Sequence, residues 1–202
     1  MDRLTGLARH TAETLIMDTA ELLPLADGVY CVCFNFPDIG RNNVRAAAAR
    51  PIRRTLASLF AADERQVTIT HTHYGRPFVP GHHWYVSISY SSKAAVLAVS
   101  NEGAVGIDIE DTARVNAARE AAELFFTAEE RTGEPLIFWT AKESFVKTIG
   151  LGACYDMSSC TFRQRGASAE LIAAEGFNPD EFRFVSHWKP DAVITLCRRI
   201  IP

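Results

Sequence analysis

What this 202-residue sequence lacks narrows its possible roles first. Its five cysteines, Cys31, Cys33, Cys154, Cys160 and Cys197, are odd in number and form no CxxC pair. That argues against a disulfide framework or a thiolate zinc site and fits the reduced thiols of a cytoplasmic protein. There is no GxGxxG, no Walker loop and no Ser-His-Asp order worth defending. No apolar run approaches the length needed to span a bilayer. The opening stretch, 1–28, is broken by charges throughout and lacks the apolar core of a secretory leader. The spacing of Leu4, Leu7, Leu15 and Ile16 suits instead an amphipathic helix lying on a core. Charge leans little to either sign: the net is −3, so no global field points to nucleic acid or an anionic membrane. An anionic ligand must therefore be held by a local basic cluster. What is present is a core: 48% of residues are hydrophobic and 22% charged, which excludes disorder.

The pattern along the chain predicts α+β structure. A strand is expected over 28–36, a helix over 43–60 with a bend at Pro51, and a strand over 66–72. Residues 74–81 read as loop from their Gly and Pro content, and 84–90 with 93–100 as a hairpin. A strand at 104–110 opens the second half. Helices near 115–125 and 135–149 follow, then strands near 159–164, 182–188 and 192–199. Strand, helix, then strands thus occurs twice. The expected architecture is two similar α+β halves packed as an intramolecular pseudodimer, 1–103 (with a helical extension over 1–27) and 104–202, with any site between them.

The strand "AVGIDIED" (104–111) carries the first chemical signal. Alternation puts Val105, Ile107 and Ile109 on one face and Gly106, Asp108 and Glu110 on the other. The apolar face is expected to pack on helices, and Gly106 to leave open space before two carboxylates roughly 7 Å apart. Alone, this reads as a half-buried strand with a solvated outer face. The segment "FWTAKESFVKTIGLG" (138–152) shifts the balance. Pro135 suits a first helical turn, and Gly150 a helix end. Glu143 and Lys147 are four apart and share a helical face, while Lys142 lies roughly 100° round. A surface ion pair explains those two residues but not a third acid in the same half. Three carboxylates suit a hard cation such as magnesium, and a lysine one turn on suits a phosphate oxygen. The implied chemistry is metal-assisted attack at phosphorus.

At these residues the chain resembles the 4′-phosphopantetheinyl transferase superfamily. "GIDIE", followed some thirty residues later by "WTAKESFVKTIGLG", is similar to its paired signature. "YGRPFVP" (74–80), "VSISYSS" (86–92) and "LFFTAEE" (124–130) resemble further family segments in family order. Length and two-half layout look like the surfactin-synthetase-activating, single-chain type.

The resemblance implies transfer of 4′-phosphopantetheine from coenzyme A to a serine of an apo acyl or peptidyl carrier protein, with Mg2+ and release of 3′,5′-ADP. It implies Asp108, Glu110 and Glu143 as metal ligands, with Glu143, Lys147 and Glu110 as the catalytic set. Lys147 would contact the pyrophosphate and Lys142 support the phosphates. The Gly75-Arg76-Pro77 loop would hold the nucleotide end, Arg45 the 3′-phosphate, and Ser89 a phosphate, with Glu130 near the site as an orienting acid. Tyr90 stands where the family usually has histidine, and a tyrosine supplies no positive charge near neutral pH. The basic stretch that larger members carry after the first strand is reduced to "PDIGRNNV" (37–44), with Arg41 its sole cation. The expected protein is a cytoplasmic monomer whose partners are coenzyme A and a carrier protein, with neither nucleic acid nor membrane.

Other clusters carry less. His71, His73, His82 and His83 lack companions at ligand spacing. Cys31 and Cys33 on an apolar strand read as core. Arg50, Arg53 and Arg54 suit a solvated helix face or an acidic partner helix equally. Two other classes remain open at this point: a metal-dependent phosphohydrolase using the same acids, and a non-catalytic relative that binds coenzyme A or a carrier protein.

Overall fold

The computed structural model describes residues 20–37, 39 and 43–200. The expected helix carrying Leu4, Leu7, Leu15 and Ile16, and the cation Arg41, lie outside them. In chain order the elements are β1 (Ala20–Leu22), β2 (Val29–Asn35), α1 (Val44–Leu59), β3 (Thr70–His71), β4 (Pro77–Phe78), β5 (Tyr85–Tyr90) and β6 (Ala94–Ser100). They continue with β7 (Val105–Asp111), α2 (Val115–Phe125), α3 (Pro135–Ile149), β8 (Cys160–Arg165), β9 (Ser168–Ala174), β10 (Phe182–Trp188) and β11 (Ala192–Arg199). Among the described residues no helix is long and apolar enough to cross a membrane.

Two antiparallel sheets, ordered β1-β2-β6-β5 and β10-β11-β7, stack face to face. Between them lies a core of Cys31 and Cys33 from β2, Ala94, Val96 and Ala98 from β6, Val105, Ile107 and Ile109 from β7, and Ile194 and Leu196 from β11. The period-two alternation of β2 sends Tyr30, Val32 and Phe34 the other way, onto Val44, Ala48, Ile52 and Leu56 of α1. On the far side of the second sheet, α3 packs Ile137, Phe138, Ala141 and Phe145 against Cys160, Phe162, Leu171 and Phe182. The Phe145 ring meets Tyr155, Phe162, Phe177 and Phe182 edge-on. The layers therefore run helix, sheet, sheet, helix.

The two sheets repeat one pairing scheme. β6 pairs on either side with β2 and β5, and β11 pairs on either side with β7 and β10. In each case a strand leads through helix and a small two-stranded ladder (β3-β4, then β8-β9) to a hairpin whose second strand takes the centre. The free edges β5 and β7 face each other and are joined by side chains: the Ile107 N–H donates to Ser87 Oγ at 3.0 Å.

Several expectations change here. The apolar face of β7 packs on the other sheet rather than on helices. Residues 66–72 contribute a strand only at Thr70–His71; Gln66 lies in a short 3-10 turn, and Val67 is buried in the first core. The segment 74–81 contains the two-residue β4, which pairs with β3. β9 is a strand the sequence pattern did not single out. α1 runs through Pro51 without interruption, and the Pro51 carbonyl accepts a hydrogen bond from the Thr55 hydroxyl.

Candidate active site at the β7–α3 seam

Gly106 sets how the site is built. A Cβ there would stand 2.1 Å from the Ser144 carbonyl oxygen and 2.6 Å from the Thr148 nitrogen. The expected open space is therefore filled by the backbone of α3, and glycine is what lets the helix lie directly on β7. Two positions on, the same face presents Asp108, then Glu110, beside the stripe of α3 that carries Glu143 and Lys147. Every residue of β7 is buried, so the strand has no solvated outer face.

Lys147 Nζ donates to Asp108 Oδ1 at 2.6 Å, to Ser89 Oγ at 3.0 Å and to the Ile107 carbonyl at 3.2 Å. The Ser89 hydroxyl in turn donates to the same Asp108 oxygen at 2.7 Å. Because Ser89 is on β5, the cluster ties the two sheets together. Glu110 is held differently: Arg114 Nη1 lies 3.2 Å from Oε1 and 3.1 Å from Oε2, and Oε1 also accepts the Asp111 N–H at 3.0 Å. Asp111 accepts from the Ser92 N–H at 2.9 Å and stands apart from the cluster, as its opposite strand face dictates.

Three carboxylates therefore meet two cations. Among the described residues Glu143 makes no ion pair within 4.0 Å. Its carboxyl is pushed up to about 7, first by burial and next by the charge of Asp108; Lys147 opposes this, and Glu110 adds to it. Burial also raises Glu110, against the pull of Arg114. Three carboxylates offering oxygen donors alone, one of them raised by burial and by its neighbouring acids, fit a hard divalent cation. Among the described residues no group of three His, Cys, Asp or Glu side chains is gathered closely enough to hold one. Arg114 on Glu110 and Lys147 on Asp108 keep the acids turned to their own partners.

The Gly75-Arg76-Pro77 loop reaches this seam from the first half. Tyr74, Gly75, Arg76 and Pro77 line a cleft of about 110 Å³ with Ser87, Lys147 and Gly150. The Arg76 guanidinium donates to the carbonyls of Lys147, at 3.3 Å, and of Thr148. It lies on Gly150, where a Cβ would be 2.5 Å from Arg76 Cζ. Arg76 thus caps the C-terminal end of α3, where carbonyls lack helical partners and the dipole favours a cation. Its Nε is buried without a hydrogen-bond partner among the described residues. Arg45 sits with its guanidinium 4.9 Å over the Tyr90 ring, next to Ser89.

Lys142 is not brought to the site. It is fully buried, with Nζ 3.1 Å from Glu130 Oε1, 3.1 Å from the Met157 carbonyl and also bonded to the Cys160 carbonyl. A phosphate contact is closed to it in this arrangement. Glu130 goes with it: beyond Lys142 it accepts the N–H groups of Thr127, at 2.6 Å, and Phe162, at 2.8 Å. The two form an internal strut between α3 and the β8 region. Gly106, Ser87 and Arg114 were not expected in these roles. Of the histidines, His82 stacks on Phe60 and His73 lies edge-on to Tyr74; the described residues hold no metal-like grouping of them. Arg50, Arg53 and Arg54 converge on Glu64.

Residues 104–197 match the family described as the 4′-phosphopantetheinyl transferase superfamily. Over this segment the chain is similar to that superfamily. It runs from the start of β7 almost to the end of β11 and contains Asp108, Glu110, Glu143 and Lys147. The chain is 32% identical over 126 residues to 4′-phosphopantetheinyl transferase psf-1 of Bacillus pumilus, covering 55% of this chain and 52% of that protein. It is 30% identical over 119 residues to 4′-phosphopantetheinyl transferase gsp of Aneurinibacillus migulanus, covering 54% and 48%. The chain thus matches about half the length of these curated relatives. Within the matched segment the acids and Lys147 stand on the two elements, β7 and α3, that Gly106 lets come together.

Proposed function

We propose that the protein transfers 4′-phosphopantetheine from coenzyme A to a serine of an apo acyl or peptidyl carrier protein, releasing 3′,5′-ADP. The observation that carries this reading is the Asp108–Lys147–Ser89 cluster beside Glu143, opening on the cleft lined by Gly75, Arg76 and Pro77. The names of the relatives point to the same chemistry.

Asp108, Glu110 and Glu143 would hold Mg2+, once Glu110 turns from Arg114. Bound there, the ion supplies charge neutralisation and Lewis-acid polarisation at the pyrophosphate. The chain's own residues do the rest. Glu143 takes the proton of the attacking serine. The serine Oγ–phosphorus bond forms as the bond from the β-phosphorus to its bridging oxygen breaks. The nucleotide leaves with that oxygen, and the Lys147 ammonium stabilises its charge. Ser89 and Asp108 fix the Lys147 side chain in place. Arg45, stacked on Tyr90, and the 75–77 loop are the remaining candidates for coenzyme A. Lys142 has no part in this account.

The matching strand order of the two sheets supports reading residues 1–103 and 104–202 as halves of a pseudodimer. With both halves in one chain, the proposed working unit is a monomer. Five free thiols suit a cytoplasmic setting. The test is an intact mass spectrum of an apo carrier protein after incubation with this protein, coenzyme A and Mg2+. A phosphopantetheine adduct supports the transferase. Cleavage of coenzyme A without an adduct supports a phosphohydrolase, and binding without chemistry supports a non-catalytic relative.

A further inference from the structure

Arg114 differs from Lys147, the cation paired with Asp108. Lys147 is anchored by three acceptors on two elements, Asp108, Ser89 and the Ile107 carbonyl. The hydrogen bonds of Arg114 go to Glu110 alone among the described residues, and they cover both carboxylate oxygens, at 3.2 and 3.1 Å. Its side chain is 39% exposed while that of Glu110 is 12% exposed, so the cation sits on the solvent side of the pair. It ends a three-residue 3-10 turn, Thr112–Arg114, immediately after β7. Nothing in these contacts prevents the guanidinium from swinging outward, whereas a displaced Lys147 would forfeit bonds to both sheets.

We propose that Arg114 is a stand-in counter-ion: it neutralises Glu110 while no divalent cation is bound and is displaced from Glu110 when one binds. This rests on the three-carboxylate metal reading given above. The ion pair stabilises the buried acid without a metal, and the same bonds compete with the metal for the same two oxygens. Affinity for the cation is therefore set partly by a residue that never touches it.

The probe is Mn2+ alone, titrated into the protein without coenzyme A and followed by the paramagnetic resonance of free Mn2+. Arg114→Gln is expected to bind Mn2+ about fivefold tighter than the native chain, the equilibrium equivalent of losing a partly exposed ion pair. Glu110→Gln and the Glu110→Gln/Arg114→Gln double variant are expected to bind weakly and alike, because the competition needs the carboxylate. If Arg114→Gln binds no tighter than the native chain while the native chain does bind, the stand-in role is overturned and the metal reading stands. If the native chain takes up no Mn2+, the metal reading falls and this inference falls with it. Should Arg114→Gln not fold, Arg114→Lys carries the test. A lysine covers the two oxygens less well, so a smaller tightening is expected, and unchanged or weaker binding overturns the proposal.

Discussion

Lys147 on α3 and Asp108 on β7 form an ion pair of 2.6 Å in which Asp108 is 8% and Lys147 28% exposed. The pair gains its position from both sheets, since Ser89 of β5 bonds each partner. Lys147→Ala leaves a buried carboxylate with one hydroxyl donor. The expected cost is about 2 kcal/mol of stability, read from chemical denaturation. Transfer should fall about 100- to 1,000-fold in kcat, the scale for removing one donor to developing charge.

Glu143 gives a pH signature. Its carboxyl titrates near 4.5 in the unfolded chain and is raised to about 7 in the fold. Between those values the native state binds the extra proton, so metal-free stability falls as pH rises and levels off above about 7. Glu143→Gln removes this slope. It should match the native protein near pH 4.5 and exceed it by about 1–3 kcal/mol at pH 8, in chelator-treated samples. Parallel stability curves for the two proteins across that window would contradict it.

Gly106→Ala tests the close approach of α3. The new Cβ meets helix backbone at 2.1 Å and 2.6 Å, atoms that cannot rotate aside. The expected loss is about 3 kcal/mol, with the melting temperature lowered accordingly. Transfer by the folded fraction should drop too, because α3 carries both Glu143 and Lys147.

Lys142→Met separates a structural lysine from a phosphate ligand. It strands Glu130 in the interior, fully buried and without its cation. The expected cost is about 3–5 kcal/mol. Below the unfolding transition the KM for coenzyme A should be unchanged. A raised KM with unchanged stability would return Lys142 to the binding site.

How far the site was legible depends on the range of the interactions. The helix 135–149 was readable to the residue because Pro135 and Gly150 punctuate it; Gly150 takes the left-handed conformation, φ 73°, that a helix end asks for. Asp108, Glu110, Glu143 and Lys147 were readable because period two and i,i+4 spacing are local rules. Lys142, one residue from Glu143, was not, because its partners Glu130 and Cys160 lie 12 and 18 residues away in the chain. Arg76 bonds carbonyls 71 and 72 residues on, which no local pattern encodes. Gly106 was misread for the same reason: an absent side chain signals room, and only the fold says that a helix fills it. Arg114 is four residues from Glu110, but strand gives way to a 3-10 turn between them, so helical spacing did not flag the pair. β3 fell short because Val67 serves the core from a turn rather than from a strand.

In the proposed function Glu143, with Asp108, Glu110 and Lys147, performs phosphopantetheine transfer. Its most direct test is a single-turnover mass spectrum of an apo carrier protein with coenzyme A and Mg2+, comparing the native chain with Glu143→Ala. A full adduct is expected from the native chain and none from Glu143→Ala, whose circular dichroism is that of the intact fold. Near-native transfer by Glu143→Ala would contradict it.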